Sequence, residues 1–269
     1  MHLDLICYVY GVGAWGPGFA SWSDLQAQLL DPAMIPADLA LPPAKAEVIP
    51  GNERRRAPPV VKAAVEVAAQ AVQAAGIASS ELACVFGSGL GDTEITDYMC
   101  AQLATPEKQL SPTRFHNSVH NAPAGYWTIA THSMRAANSI AAYNQTAGIS
   151  VLEAATQAAE EQVPVLITLY DLGARGLYSR VYTVAQGFAA ALVISPVKRE
   201  TPPLATLRLT IQSSACAEPA LAPSLASLCA NNPAAKVLPL LHALALSAPQ
   251  VETCLEIAID TYLKIQVEK

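Results

Sequence analysis

An α/β fold is the class this sequence predicts, and three observations predict it. Val163 to Leu169 (VPVLITL) and Phe188 to Ile194 (FAAALVI) are unbroken apolar runs, as strands buried on both faces require. A long amphipathic helix is written between two strand candidates, from the Pro58–Pro59 pair to Gly76. The length, 269 residues, suits one large α/β unit.

The elements follow in order. Residues 3–10 alternate apolar with mixed side chains and end at Gly11, a first strand. Residues 31–59 are proline-rich and carry Arg54, Arg55 and Arg56; they read as an irregular excursion. In the long helix Val61, Ala64, Val65, Ala68, Ala71, Val72 and Ala75 form the apolar stripe, and Gly76 ends it. Leu82 to Phe86 is a short buried strand running into GSGLGD. Asp92 is a good N-cap for a helix through Leu103. A further helix around Thr128 places Ala124, Gly125, Ile129 and Ala130 on one face. Ile149 to Gln162 is helical with Ile149, Leu152, Ala155 and Ala159 inward. In Leu204 to Gln212, Leu207, Leu209 and Ile211 alternate with Thr206, Arg208 and Thr210, a half-buried strand near a sheet edge. Val251 to Ile265 reads as an amphipathic helix with Cys254, Leu255, Ala258, Tyr262 and Ile265 on its stripe. The expected division is residues 1–200 as the main domain and 201–269 as an edge strand and helical extension of it.

Composition excludes some functions. A net charge of −6 argues against nucleic acid as the main partner, because phosphate binding needs a Lys/Arg surplus. With 52% hydrophobic and only 14% charged residues, some apolar surface is left for a protein partner. The start, MHLDLICYVYGVG, lacks a basic region and does not read as a signal peptide, and no apolar run is long enough to span a bilayer. The six cysteines, Cys7, Cys84, Cys100, Cys216, Cys229 and Cys254, are scattered, and are expected to be reduced thiols of a cytoplasmic protein.

Several motifs invite chemistry that their context denies. GVGAWG fits G-x-G-x-x-G, but Pro17 and Gly18 prolong the turn where a dinucleotide site needs a helix to begin. GSGLGD has no following lysine for a phosphate. His116 and His120, with His132 as a remote third, lack the H-E-x-x-H pattern of zinc sites, and no metal is expected. Ser118 beside His116 and His120 lacks a G-x-S-x-G elbow; a stand-alone acyltransferase or thioesterase built on them is the alternative function. Arg54 to Arg56 read first as a solvated run and second as a patch for an acidic carrier protein.

The most specific stretch is residues 111–130, SPTRFHNSVHNAPAGYWTIA. It resembles the β-ketoacyl synthase pattern S-P-x-x-x-x-S/T-x-x-x-N-x-x-A-G-x-x-x-I through Ser111, Pro112, Asn121, Ala124, Gly125 and Ile129. With Phe115, Ser118, Val119, His120, Ala122, Tyr126 and Trp127 added, it is closest to the short ketoacyl-synthase-like proteins of aryl polyene gene clusters in Gram-negative bacteria. The resemblance extends more weakly over residues 3–195, and nothing is recognised beyond about residue 200.

The resemblance implies the N-terminal half of a thiolase-like fold: a mixed five-stranded sheet between helices, with a C-terminal helical extension. It also implies what is missing. The register of the family's nucleophile gives Ile140, Ala141, Ala142, Tyr143, Asn144, so Asn144 stands where a cysteine is needed, and an amide cannot form a thioester. Both histidines of the family's second half are absent; His242, inside LPLLHALAL, reads as a packing position. The family's interface positions carry over to Leu90 and Arg114, with Phe115, Ser118 and Asn121 beside them. Arg114 departs from the usual bulky apolar residue. The resemblance thus implies no catalytic residue and no cofactor. Its partners would be a complete ketosynthase, as a heterodimer, and an acyl carrier protein bearing an aryl polyenoyl chain. A purely structural subunit is the third reading.

Overall fold

The computed structural model describes residues 4–184, 186–217 and 220–269. The chain runs β1 (Leu5–Trp15), α1 (Trp22–Leu30), α2 (Gly51–Arg56), α3 (Pro59–Ala75), β2 (Ala83–Gly87), α4 (Thr93–Leu103), α5 (Pro112–His116) and α6 (Ala122–Thr131). It continues with β3 (Ala137–Ile140), α7 (Thr146–Glu161), β4 (Val165–Asp171), β5 (Phe188–Ser195) and β6 (Ala205–Gln212). The last elements are α8 (Pro223–Asn231), α9 (Leu238–Ala245), β7 (Gln250–Ala258) and β8 (Thr261–Glu268). The strands form one mixed sheet in the order β3-β2-β4-β5-β1-β6-β8-β7. β2 is parallel to β3 and β4, and the other pairs are antiparallel.

Helices cover both faces. On one face α3 and α6 pack on Tyr10, Phe86, Leu166, Tyr170 and Val193. On the other, α1, α7, α8 and α9 bury Val9, Val85, Ile167, Leu192 and Leu207. β4 and β5 are buried along their whole length, as their unbroken apolar runs require. α3 lies directly against β1: a Cβ on Gly11 would collide with the Ala71 carbonyl oxygen, and one on Gly13 with that of Val67. The glycines of GVGAWG are therefore spaces for a crossing helix. β1 does not stop at Gly11 but runs through both glycines to Trp15.

The polar face of α3 also works structurally. Glu66 accepts the Ala46 amide at 2.7 Å, and Gln70 accepts the Ala14 amide at 3.1 Å while donating to the Ala20 carbonyl at 2.8 Å. The Glu66 bond ties down the proline-rich excursion and the Gln70 bonds the end of β1 and the turn after it; part of the excursion, Gly51–Arg56, is helical.

Several expectations need correction. The sheet has eight strands and not five; the expected mixed set is its β3-β2-β4-β5-β1 portion, and β6, β8 and β7 are appended to β1. β6 is consequently interior and not near an edge. Residues 251–265 are not a helix but most of the β7–β8 hairpin. Leu263, Ile265 and Val267 point inward with a period of two, and Asp260 takes the positive φ of the turn (52°). The spacing of Cys254, Leu255, Ala258, Tyr262 and Ile265 satisfied a helical template because both limbs of a hairpin were read as one element. The C-terminal extension is helical only in α8 and α9.

The inward faces of two helices are rotated from expectation. α7 buries Ala147, Val151, Ala154, Ala155 and Ala158, leaving Ile149, Leu152 and Ala159 half-buried. α6 buries Pro123, Ala124 and Trp127, whereas Ile129 is 77% exposed. Finally, Cys216 and Cys254 are disulfide-bonded and not reduced, since the turn after β6 returns Cys216 to β7 with Cα atoms 5.5 Å apart. Burial pushes the thiols of Cys7 and Cys84 up to about 12, so neither is a nucleophile near neutrality. Among the described residues no helix is long and apolar enough to cross a membrane.

Candidate functional site: the glycine-rich loop and the α5–α6 face

The site is assembled where β2 and β4, parallel neighbours, end side by side. β2 runs into the turn Gly87–Gly91, and β4 ends in Asp171, whose side chain is fully buried. Asp171 Oδ1 accepts the Ser88 hydroxyl at 2.7 Å and the Leu90 amide at 2.9 Å; Oδ2 accepts the Gly89 amide at 3.0 Å. Ser88 Oγ in turn accepts the Gly91 amide at 2.8 Å. Burial raises the Asp171 carboxyl to about 6, and the bonds from Ser88, Gly89, Leu90 and the Ala234 amide oppose that rise.

The loop is linked to the α5–α6 segment by His120. Its Nε2 lies 3.1 Å from the Ser88 carbonyl, an acceptor only, so Nε2 carries the proton and donates. The Tyr170 hydroxyl donates to the His120 carbonyl at 3.4 Å. Downstream, the Asp92 side chain accepts the Ile95 amide at 2.9 Å and starts α4.

Each residue singled out in the sequence now has a place. Leu90 is half-buried in the loop beside Asp171. Arg114 is exposed on α5, its guanidinium carbon 4.1 Å from the centre of the Tyr98 ring. Phe115 is 59% exposed. Ser118 donates its hydroxyl to the Phe115 carbonyl at 2.7 Å. Asn121 precedes α6 at its exposed start, where its carbonyl accepts the Gly125 amide at 3.0 Å. Asn144 is the middle of a 3-10 turn, Tyr143–Gln145, leading straight into α7; Tyr143 there has a positive φ of 47°. Gln145 of the same turn donates to Glu256 of β7 at 3.1 Å. His242 is buried within α9.

The structure does not bring Ser118 and its neighbouring histidines into a hydrogen-bonded pair. The Ser118 hydroxyl is committed to a backbone carbonyl, and His120 is committed to the glycine-rich loop. His116 ends α5 and His132 caps α6, so they do not share a helix face. Among the described residues no three His, Cys, Asp or Glu side chains gather as a metal site would need.

Two cavities flank this framework. One, about 450 Å³, lies beside the start of α4 and the end of β4, with Trp15, Lys62, Gly91, Asp92, Leu172 and Arg175 in its wall. The other, about 710 Å³, is an apolar groove between α2 and α5–α6, with Ile49, Arg56, His116, Asn121, Tyr126 and Ile129 in its wall. Leu90, Arg114, Phe115 and Ser118 are therefore not gathered around one cavity; the loop of Leu90 adjoins the smaller, and Asn121 the larger. Sequence reasoning missed Asp171, Tyr98 and Asn232. The available signal for Asp171 was a carboxylate closing a wholly apolar strand, VLITLYD, in which a charge is expensive unless several donors meet it.

Residues 22–258 match the family model described as beta-ketoacyl synthase, N-terminal domain. The chain belongs to that family. No curated protein matches it. Among solved structures, this ketoacyl synthase domain is similar to a chain in the complex of the ketosynthase ApeO with its chain length factor ApeC from Xenorhabdus doucetiae. That match has a TM-score of 0.72 and 20% identity, and covers 98% of this chain and 100% of that one. It is also similar to a chain of the ishigamide ketosynthase/chain length factor, with a TM-score of 0.73 and 12% identity, covering 97% and 99%. A third similar chain comes from AntDE:AntF, a type II polyketide synthase acyl-carrier protein in complex with its ketosynthase bound to the hexaketide. There the TM-score is 0.76 and the identity 12%, covering 99% of each. At these identities the likeness establishes the thiolase-like fold.

Proposed function

We propose that this ketoacyl synthase domain is a non-catalytic chain-length factor of aryl polyene biosynthesis. It pairs with a complete ketosynthase and forms part of the wall of the tunnel that holds the growing chain. What carries the reading is Asn144, in the turn just before α7, at the position to which the resemblance of residues 111–130 carries the family's nucleophile. A carboxamide there forms no thioester, and the thiol of Cys84 in β2 is buried and protonated.

Partner docking is supported by the face around α5, α6 and β3. Phe115, Val119, Ile129 and Met134 stand 54–96% exposed along it, beside β3, whose outer edge has no strand partner among the described residues. The cavity beside the Leu90 loop supports a tunnel ending there. Arg54 and Arg56 on α2 form no ion pair with a carboxylate among the described residues, which suits an acidic carrier protein. The aryl polyene assignment rests on the run from Ser111 to Ile129. The geometry of Ser118 and His120 gives the stand-alone hydrolase no support.

The test is co-expression with a cysteine-bearing ketosynthase from the same cluster, then light scattering of the purified species. A one-to-one complex is expected, in which Asn144→Ala leaves condensation unchanged and Leu90→Phe shortens the products. A stable monomer indifferent to any ketosynthase would sink the reading. An unchanged product length in Leu90→Phe would leave a purely structural subunit.

A further inference from the structure

We infer that Asp171 and Asn232 are positioning residues that fix where Leu90 sits, and through it the length of the chain the complex makes. This rests on the reading of Leu90 as tunnel wall and deepens it. Three consecutive residues, Ser88, Gly89 and Leu90, direct donors at the two oxygens of one carboxylate, at 2.7–3.0 Å. Three bonds to one rigid planar group leave the loop no rotation that keeps all of them. The loop also contains Gly91 at φ 63°, so its path depends on those bonds and not on stiff side chains.

Asn232 locks the strand end that carries the carboxylate. Its Nδ2 donates to the Asp171 carbonyl at 3.0 Å and to the Gln186 carbonyl at 2.9 Å. Its Oδ1 accepts the Ala234 and Ala235 amides at 3.0 and 3.2 Å, so its hydrogen-bonding capacity is fully used while it is 1% exposed. A residue of the C-terminal extension thereby reaches the end of β4, next to the glycine-rich loop. For stability alone the arrangement is poor, because a buried carboxylate without a cation pays for lost hydration. What the arrangement supplies is one position for the loop.

The groups that face Asp171 are neutral: Ser88, Gly89 and Leu90 from the loop, and Ala234 from the turn after α8. The titratable neighbours are Tyr170, adjacent in β4, and His120, bonded to the Ser88 carbonyl. Protonation of Asp171 below about pH 6 replaces one acceptor with a donor and disturbs the three-bond pattern.

The experiment uses the complex with its ketosynthase and loaded carrier, and reads product lengths by mass spectrometry. Asp171→Asn is expected to keep the complex but move the main product by at least one two-carbon unit. In a Leu90→Ala background it is expected to add no further shift. The wild type should show the same displacement below about pH 6, and Asp171→Asn should lose that pH response; comparing the two removes the partner's own pH dependence. Wild-type products from Asp171→Asn, or an additive shift in the double variant, would overturn the inference while the tunnel reading stands, provided Leu90→Ala alone alters length. An unaltered length in Leu90→Ala would remove both. Where Asp171→Asn does not assemble, Ser88→Ala, which removes one of the three bonds, is read against the same outcomes.

Discussion

The guanidinium of Arg114 lies over the ring of Tyr98, 4.1 Å from its centre, and the Tyr98 hydroxyl accepts the Ser111 amide at 3.0 Å. One side chain of α4 thus holds both the start of α5 and its exposed arginine. The charge absent from the family pattern is therefore tethered within its own subunit.

Replacing that ring separates the two contributions. Tyr98→Phe keeps the cation–π contact and loses a hydrogen bond, a loss of about 1 kcal/mol. Tyr98→Ala also loses the ring contact, a further ~0.5–1 kcal/mol at an exposed site. Urea unfolding of the three proteins checks the order, and equal stability of Tyr98→Ala and wild type would contradict it.

The contact of α3 with β1 predicts that Gly13→Ala is far worse than a single methyl normally is. The new Cβ meets the Val67 carbonyl of a helix anchored along its length, so the helix must move outward. A loss of about 1–3 kcal/mol or more is expected, as for other overpacked cores. Gly51→Ala, where a Cβ has open space, serves as the control and should change stability little.

Reduction should loosen the C-terminal hairpin. Cys216 and Cys254 are 38 residues apart, and closing such a loop is worth about 4 kcal/mol in the chain-entropy account. Thermal melts with and without reductant should differ by several degrees, with two further thiols titrating after reduction. A Cys216→Ser variant should melt like the reduced protein in either condition.

Asp171 gives the stability a pH signature of definite sign. Its folded pKa of about 6 lies above its ordinary value of 3.8, so between those values the folded state holds a proton that the unfolded state has released. Its contribution is present in full below about 3.8 and is lost as the pH rises through about 6. The unfolding free energy of wild type relative to Asp171→Asn should therefore fall by roughly 3 kcal/mol across that window. A flat or rising difference would refute the assignment.

The parts legible in the sequence were those with an unambiguous period. β4 and β5 are continuous apolar runs too short for helices, and α3 carries proline at its start, glycine at its end and a stripe between. Asp92 and the helix it caps were legible for the same local reason. What failed was non-local. The β7–β8 hairpin needs β6 beside it before its alternation has meaning, and the Cys216–Cys254 pair needs the turn after β6. The exposure of Ile129 could not be read, because an apolar residue on a helix looks the same whether it faces its own sheet or another molecule. The motif positions Leu90 and Arg114 were locatable, but their supports came from Asp171 and Tyr98, distant in sequence or inconspicuous in type.

The insertion of β1 between β5 and β6 bears on how the protein is made. Tyr8 pairs with Ser195 on one side and Thr206 on the other. β1 therefore has neither hydrogen-bonding neighbour until some two hundred further residues have followed, roughly 10–40 seconds at ordinary rates of synthesis. For that interval an apolar ribbon with both margins open depends on the helices that pack on it, above all α3, whose close seat on Gly11 and Gly13 is local enough to form early. The glycine spacing that mimics a nucleotide motif thus lets a helix cover the strand closely before its flanks arrive.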